Sequence, residues 1–292
     1  MASKNVTGLF RYEKYKGQDG FELPYRLYLP ADYDCGVMYP LLVLLHGAGE
    51  RGSDNEEQIS CNFNPIWEDP KSPARRSIIL APQCALDRQW VNVPFDQGNY
   101  SIDKVPESRE LEAVMEIIKS IDREYNVDRG RIYITGISMG GYATWDMIMR
   151  HPSVFAAAMP VCGAGDPGEA KQLAGIPIRT FHGALDTCVP PDGTREMYRA
   201  IKVLGGGKIK YVEYPDAAHD VWTPVYRNSD NLRWLFSKRR ETRVRTSSDK
   251  AKKAGIAGVV LGVLGAVIFS VAKKKRKKKK AEKEKKAGKE DN

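Results

Sequence analysis

The stretch "ITGISMGGYATW", residues 134–145, places a lone serine among glycines where a strand-like run gives way to a helix-like one. Gly136, Ser138 and Gly140 form a G-x-S-x-G turn. Such a turn holds a serine hydroxyl out on a tight corner, with the backbone forced toward φ > 0 and the flanking glycines making room for the adjoining strand and helix. The N–H of the following residue, Met139, then opens a helix, where negative charge is favoured. This is the equipment of a nucleophile that attacks a carbonyl.

A serine nucleophile needs a base, and the chain has 4 histidines. His46 closes an apolar run and is followed by Gly47, so it reads as part of a turn; His151 precedes Pro152 at a helix end; His182 lies inside the close of the run 178–183. His219, in "YPDAAHDVW", occupies a loop after the last strand-like run and is the candidate base. The carboxylate that orients it is assigned to Asp186 in "HGALDTCVP"; Asp192 falls in or beside a helix, and Asp216 is too near His219 in sequence. The order Ser138, Asp186, His219, each after a successive strand, is that expected of an α/β-hydrolase. The amides of Met139 and of Ala48, in the glycine-rich loop "HGAGERG", are the candidate oxyanion donors. Trp90 and Trp222 are candidates to line an acyl or aryl pocket, with ordinary core packing as the competing reading.

These residues need a scaffold. "LFRYEKY" and "LPYRLYLP" alternate as edge strands, whereas "YPLLVLLHG" (39–47) and "SIILAPQ" (77–83) are continuous apolar runs of the kind buried on both faces. Further strands are expected at 131–136, 155–163, 178–183 and 208–215, and helices at 107–125, 139–151, 191–204 and 228–240. Alternation of buried strands and helices predicts a mainly parallel α/β sheet covered on both faces. Only about a dozen residues separate the strands ending near Gly163 and starting near Ile178, which leaves no room for a large cap.

The net charge of +9 is unevenly spread. Ser237 to the end holds 20 Lys+Arg against 6 Asp+Glu; subtracting these from 46 and 37 leaves 26 against 31 for residues 1–236. A mildly acidic body with a basic tail argues against nucleic-acid binding. The 5 cysteines show no C-x-x-C spacing, which argues against zinc and against a disulfide framework, and Cys188 reads as structural despite its closeness to Asp186. The chemistry calls for no metal or organic cofactor.

Residues 254–272, "AGIAGVVLGVLGAVIFSVA", are uncharged and mostly apolar. As a helix they would extend about 28 Å, close to a hydrocarbon thickness of roughly 30 Å. The expected organisation is a catalytic domain at 1–237, a basic linker at 238–253, a membrane helix at 254–272 and a Lys-rich disordered tail at 273–292. No leader of signal-peptide type is visible, so the catalytic domain is expected in the cytoplasm, anchored from its C-terminus, with lipid contacts through 254–272 and its basic flanks; the 12 Lys+Arg beyond the segment fit the positive-inside rule poorly, and the alternatives are a domain outside with the lysines inside, or a segment dipping into the cytoplasmic leaflet. Ala254, Gly258, Gly262 and Ala266 recur at a spacing that would let two such helices pack.

Taken together, "LLVLLHGAGERG", "APQ", "GISMGGYATW", "HGALDTCVP" and "AAHDVW" resemble the predicted-peptidase and phospholipase/carboxylesterase-like branch of the α/β-hydrolases, near the feruloyl and acetyl-xylan esterases and more distantly the prolyl oligopeptidases. The likeness covers about residues 8–236. It implies serine hydrolysis of small carboxylic esters with Ser138, Asp186 and His219 as the triad. Two rival readings are a peptidase acting on short peptides and a catalytically silent fold serving as a membrane-tethered binding module.

Overall fold

Tyr39–Leu45 is a strand in which every residue is buried. Its alternate side chains face opposite ways: Leu41, Val43 and Leu45 enter one apolar core, Leu42 and Leu44 a second. Each such leucine contributes about 1.5–3 kcal/mol when withdrawn from water. A strand dry on both faces must be covered on both faces, and this requirement organises the chain. The computed structural model describes residues 6–241.

The strands are β1 (Arg11–Lys16), β2 (Glu22–Tyr28), β3 (Tyr39–Leu45), β4 (Ile78–Pro82), β5 (Val127–Ile137), β6 (Ala157–Val161), β7 (Ile178–Gly183) and β8 (Ile209–Tyr214). They form one sheet in the order β1-β2-β4-β3-β5-β6-β7-β8. β1 and β2 are antiparallel to their neighbours, and the remaining pairings are parallel. The mainly parallel α/β architecture expected from the sequence is therefore present.

The longer helices are α1 (Arg109–Glu124), α2 (Met139–Arg150), α3 (Pro191–Val203), α4 (Trp222–Arg227) and α5 (Ser229–Phe236). Ser108 caps α1 by accepting from the Leu111 N–H at 3.2 Å. Leu111, Val114, Ile118 and Ile121 of α1, Tyr142 and Trp145 of α2, and Met197 and Ile201 of α3 fill the first core. Tyr226, Leu232 and Leu235 of α4 and α5, with Phe63 and Trp67 from short turns after β3, fill the second. The connection from β6 to β7 carries a single helical turn, Ala170–Leu173, and a 3-10 turn, Pro167–Glu169, so no large cap stands there.

Three expectations shift. β5 begins at Val127 rather than 131, because its first residues bridge to Tyr39 across an irregular register. The helix expected at 228–240 is α5, which stops at Phe236, where Tyr133 Oη donates to the Phe236 and Lys238 carbonyls, and α4 is an unexpected helix before it. Residues assigned to the linker still belong to the body: the Arg240 N–H donates to Gly130 O at 2.9 Å, and Arg239 pairs with Asp128 at 2.9 Å. The rest of the linker, the segment 254–272 and the tail lie outside the described residues. Among the described residues no helix is long and apolar enough to cross a membrane.

Candidate active site

The parallel strands end on one edge, and the loops leaving that edge build the site. Between β5 and α2 the chain turns at Ser138 with φ 53° and ψ −117°, a left-handed backbone for a non-glycine residue. The Ser138 N–H donates to Val161 O at 2.9 Å, tying the corner to β6. The corner is so tight that a Cβ on Gly140 would overlap the Leu45 carbonyl oxygen and lie 2.7 Å from His46 O. Glycine at this position is thus a condition of packing α2 against the end of β3.

Asp186 follows β7 and His219 follows β8. The two loops touch because Gly183 has no side chain: a Cβ there would overlap Ala218 O. The Leu185 N–H donates to Ala217 O at 3.0 Å. The result joins residues distant in sequence. Ser138 Oγ lies 2.8 Å from His219 Nε2, and His219 Nδ1 lies 2.6 Å from Asp186 Oδ2. Asp186 Oδ1 accepts from the N–H groups of Cys188 and Val189, each at 2.9 Å. Burial pushes the Asp186 carboxyl up, but hydrogen bonds from His182, His219 and the Val189 N–H outweigh it and hold the group well below the usual carboxylate range. Asp186 is ionised and acceptor-only, so His219 Nδ1 carries a proton and Nε2 is free to accept the serine proton.

A cleft of about 340 Å³ opens above this relay. Its lining includes Gly47, Ala48, Gly49, Phe95, Val189 and Trp222 besides Ser138 and His219. Ala48 starts a 3-10 turn and Met139 starts α2. The first N–H groups of a helical turn have no acceptor within it. Both candidate oxyanion donors therefore stand at helical starts, beside the serine. Trp222 stands edge-on to the His219 ring, with centroids 5.3 Å apart, and donates through Nε1 to Asn62 Oδ1 at 2.9 Å. Trp90, the other candidate for the pocket, is fully buried: its Nε1 donates to His46 O at 3.1 Å and its ring packs against the His46 imidazole. It supports the glycine-rich loop from behind and does not reach the cleft. Cys188 is exposed in the cleft wall, which corrects its reading as a structural thiol.

The other histidines have separate duties. His46 is enclosed, with Nε2 accepting from the Cys84 N–H at 2.9 Å and Nδ1 2.6 Å from Gly47 O; burial lowers its pKa to about 4, so it is neutral. His151 ends α2 and meets Glu107 at 2.8 Å. His182, read as part of a strand, approaches Asp186 Oδ2 from the other side at 3.0 Å. Two residues of the loop scaffold also escaped the sequence reading. Gln83 accepts from the Asn55 N–H at 2.7 Å and donates to Glu50 O at 3.1 Å, bracing the loop that carries Ala48. Glu50 is buried in the cleft lining, with its carboxyl pushed up by burial and bonded by Asn62 Nδ2. The quoted "APQ" held the signal for Gln83: a polar side chain closing a dry strand needs polar partners.

Among the described residues, Cys162, His182 and Asp186 bring ligand-type atoms within 4.8 Å of one another. Their bonding argues against a metal site. The Cys162 thiol, pushed by burial to about 12, keeps its proton and donates to His219 O at 3.1 Å, while Asp186 is committed to the imidazoles and loop amides.

Comparisons with known proteins find hydrolases and esterases. The prolyl oligopeptidase family matches residues 100–173, the part that holds Ser138. A thermostable esterase of known structure superposes with a TM-score of 0.72 at 37% identity, over 80% of this chain and 64% of that one. A bifunctional acetylxylan esterase/xylanase from Neocallimastix patriciarum is 26% identical over 174 residues, covering 59% of this chain and 22% of its own length. A probable feruloyl esterase C from Aspergillus niger is 25% identical over 201 residues, covering 68% of this chain and 67% of its own. The chain thus spans about a fifth of the first of these curated relatives and about two thirds of the second and of the solved esterase.

Proposed function

The chain belongs to the esterase-like branch of the α/β-hydrolases, and on that premise we propose that it is a serine hydrolase of carboxylic esters, with Ser138, His219 and Asp186 as its triad. The observation that carries this reading is the unbroken relay from Ser138 Oγ through His219 to Asp186, with spacings of 2.8 and 2.6 Å, at the floor of an open cleft. Ser138 Oγ attacks the ester carbonyl carbon as His219 Nε2 takes its proton. The tetrahedral oxyanion settles against the N–H groups of Ala48 and Met139. Collapse expels the alcohol, which receives its proton from His219, and leaves an acyl group on Ser138. Water, deprotonated by His219, then releases the acid by the same steps. An apolar wall including Phe95, Val189 and Trp222 favours small acyl or aryl esters.

Ser138→Ala tests the reading. Hydrolysis of p-nitrophenyl acetate is expected to fall on the order of 10⁴–10⁶-fold with the fold intact. Activity within tenfold of the parent would remove the assignment. Labelling of Ser138 by a fluorophosphonate separates an enzyme from a silent binding module.

The match to the prolyl oligopeptidase family favours a second reading, hydrolysis of short peptides. Matched ester and amide substrates decide between the two, the ester reading requiring the higher kcat/KM on the ester. The apolar sequence 254–272 and its basic flanks favour a form anchored to lipid from its C-terminus, with the small-residue spacing allowing pairing of two chains; the catalytic part is placed in the cytoplasm against the weak bias of the flanks, 8 Lys+Arg before the segment and 12 after it. Release of the full chain from membranes by high salt alone would rule out a spanning segment, and digestion of the catalytic part by protease added to intact cells would reverse the orientation.

A further inference from the structure

Asp186 Oδ2 is shared by two imidazoles. His219 Nδ1 approaches at 2.6 Å and His182 Nε2 at 3.0 Å. His182 is fully buried at the end of β7, immediately before the Gly183–Ala184 corner that leads to Asp186, and has no access to substrate. Its Nε2 also lies 3.0 Å from Val189 O. Two acceptors converge on that nitrogen, so it carries a proton and donates it. On the far side of the ring, Nδ1 lies 2.8 Å from Thr194 Oγ1, and the Thr194 hydroxyl donates to Gly163 O at 2.6 Å. The ring is thereby held from the first turn of α3 and from the chain that follows β6, beside the serine corner.

We propose that His182 is a positioning residue for the base: by donating from Nε2 to Asp186 Oδ2 it fixes the plane of the carboxylate and keeps it aligned with His219 Nδ1. This inference rests on the ester-hydrolase reading above. With Oδ1 held by the Cys188 and Val189 amides and Oδ2 by the two rings, the carboxylate cannot rotate about its Cβ–Cγ bond without breaking one of four hydrogen bonds. An ordinary buried histidine would only fill space. This one donates its proton to the acid of the relay, and the lowered pKa of Asp186, which favours the carboxylate, agrees with that use. Of the other ionisable groups around this pair, the Cys162 thiol behind the His219 loop and the Tyr142 hydroxyl of α2 are kept neutral by burial and by the Asp186 charge, and Glu213 of β8 is the carboxylate that interacts with His182.

The test uses the full chain and p-nitrophenyl acetate. His182→Leu removes the donor at similar volume; His182→Gln keeps an amide donor; Thr194→Val removes the hydroxyl behind the ring without changing its shape. His182→Leu is expected to lower kcat about tenfold to a hundredfold, the effect of one lost charge-assisted hydrogen bond, with KM unchanged. Without the His182 donor, Asp186 holds the protonated form of His219 more strongly, so the acidic limb of kcat/KM moves to higher pH. The low-field proton resonance of the His219–Asp186 bond shifts in His182→Leu and is restored in His182→Gln, which also recovers most of kcat. Thr194→Val produces the same changes in smaller measure. The inference is overturned if folded His182→Leu keeps the parent kcat and pH profile. Should His182→Leu fail to fold, Thr194→Val decides: a parent kcat, a normal limb and a normal resonance in folded Thr194→Val would make His182 a packing residue. Ser138→Ala in the same assay keeps the two failures apart, since its retained activity would remove the ester-hydrolase reading itself.

Discussion

Replacing Asp186 by asparagine changes one atom and reverses the logic of the site. Asp186 Oδ1 accepts from the Cys188 and Val189 N–H groups, both at 2.9 Å. An asparagine must keep its oxygen there, because an NH2 group would face two donors. The amide nitrogen is then forced into the Oδ2 position, where it meets His219 Nδ1 at 2.6 Å and His182 Nε2 at 3.0 Å. Donor against donor is untenable, so His219 takes the tautomer with its proton on Nε2. That proton points at Ser138 Oγ, and the base has nothing left to accept with. The expected loss is about 10⁴-fold in kcat, or about 5 kcal/mol of transition-state stabilisation. Steady-state hydrolysis of p-nitrophenyl acetate measures it, and circular dichroism with thermal unfolding shows that the fold survives. A folded Asp186→Asn enzyme within tenfold of the parent would refute the argument, since it would mean that His219 does not depend on Asp186 for its tautomer.

Other outcomes follow from local geometry. Gly140→Ala, whose Cβ would overlap Leu45 O, is expected to destabilise by about 3 kcal/mol and to abolish activity; a normal melting temperature would mean that the corner is looser than described. Trp90→Phe leaves His46 O without its donor and is expected to cost about 1–3 kcal/mol of stability, seen as a lower urea midpoint, with KM unchanged. Trp222→Phe, by contrast, alters the cleft wall and raises KM for aryl esters, so equal KM effects in the two variants would contradict their placement. His46 is held neutral by burial, with its pKa lowered from 6.5 to about 4. The unfolded chain binds that proton first as pH falls, so stability drops between pH 6.5 and 4, by about 3 kcal/mol from this group. NMR titration of the ring near pH 6.5 would refute it.

The relay itself was readable because its members follow the ends of β5, β7 and β8, and strand ends are marked by the close of apolar runs. The positions of Ala48 and Met139 at the first turns after β3 and β5 were readable for the same reason. Trp90 was not: it lies between β4 and α1 in a stretch without periodicity, and nothing local tells whether an aromatic there turns outward or folds beneath the loop it adjoins. His182 was missed as a partner of Asp186 because β7 is buried on both faces, so alternation gives no sign of which way a given side chain points. α4 was hidden by Pro224, which looks like a breaker but sits at the third position of the helix, where its missing N–H is no loss. Residues 238–240 look like solvated charge, and only the pairing of Arg239 with Asp128 reveals that they close the body.

That closing contact has a practical consequence. Arg240 is bonded to Gly130 near the start of β5, whereas Ser138 follows the end of the same strand. The seven steps of strand from Gly130 to Ile137 span roughly 23 Å, at about 3.3 Å each, so the described C-terminal residue and the cleft mouth lie towards opposite ends of β5. A polymer support, a surface or a fused reporter coupled after Glu241 would hold the protein with its mouth facing the bulk solution. Coupling through Cys188 or through the loop around Phe95 would stopper it.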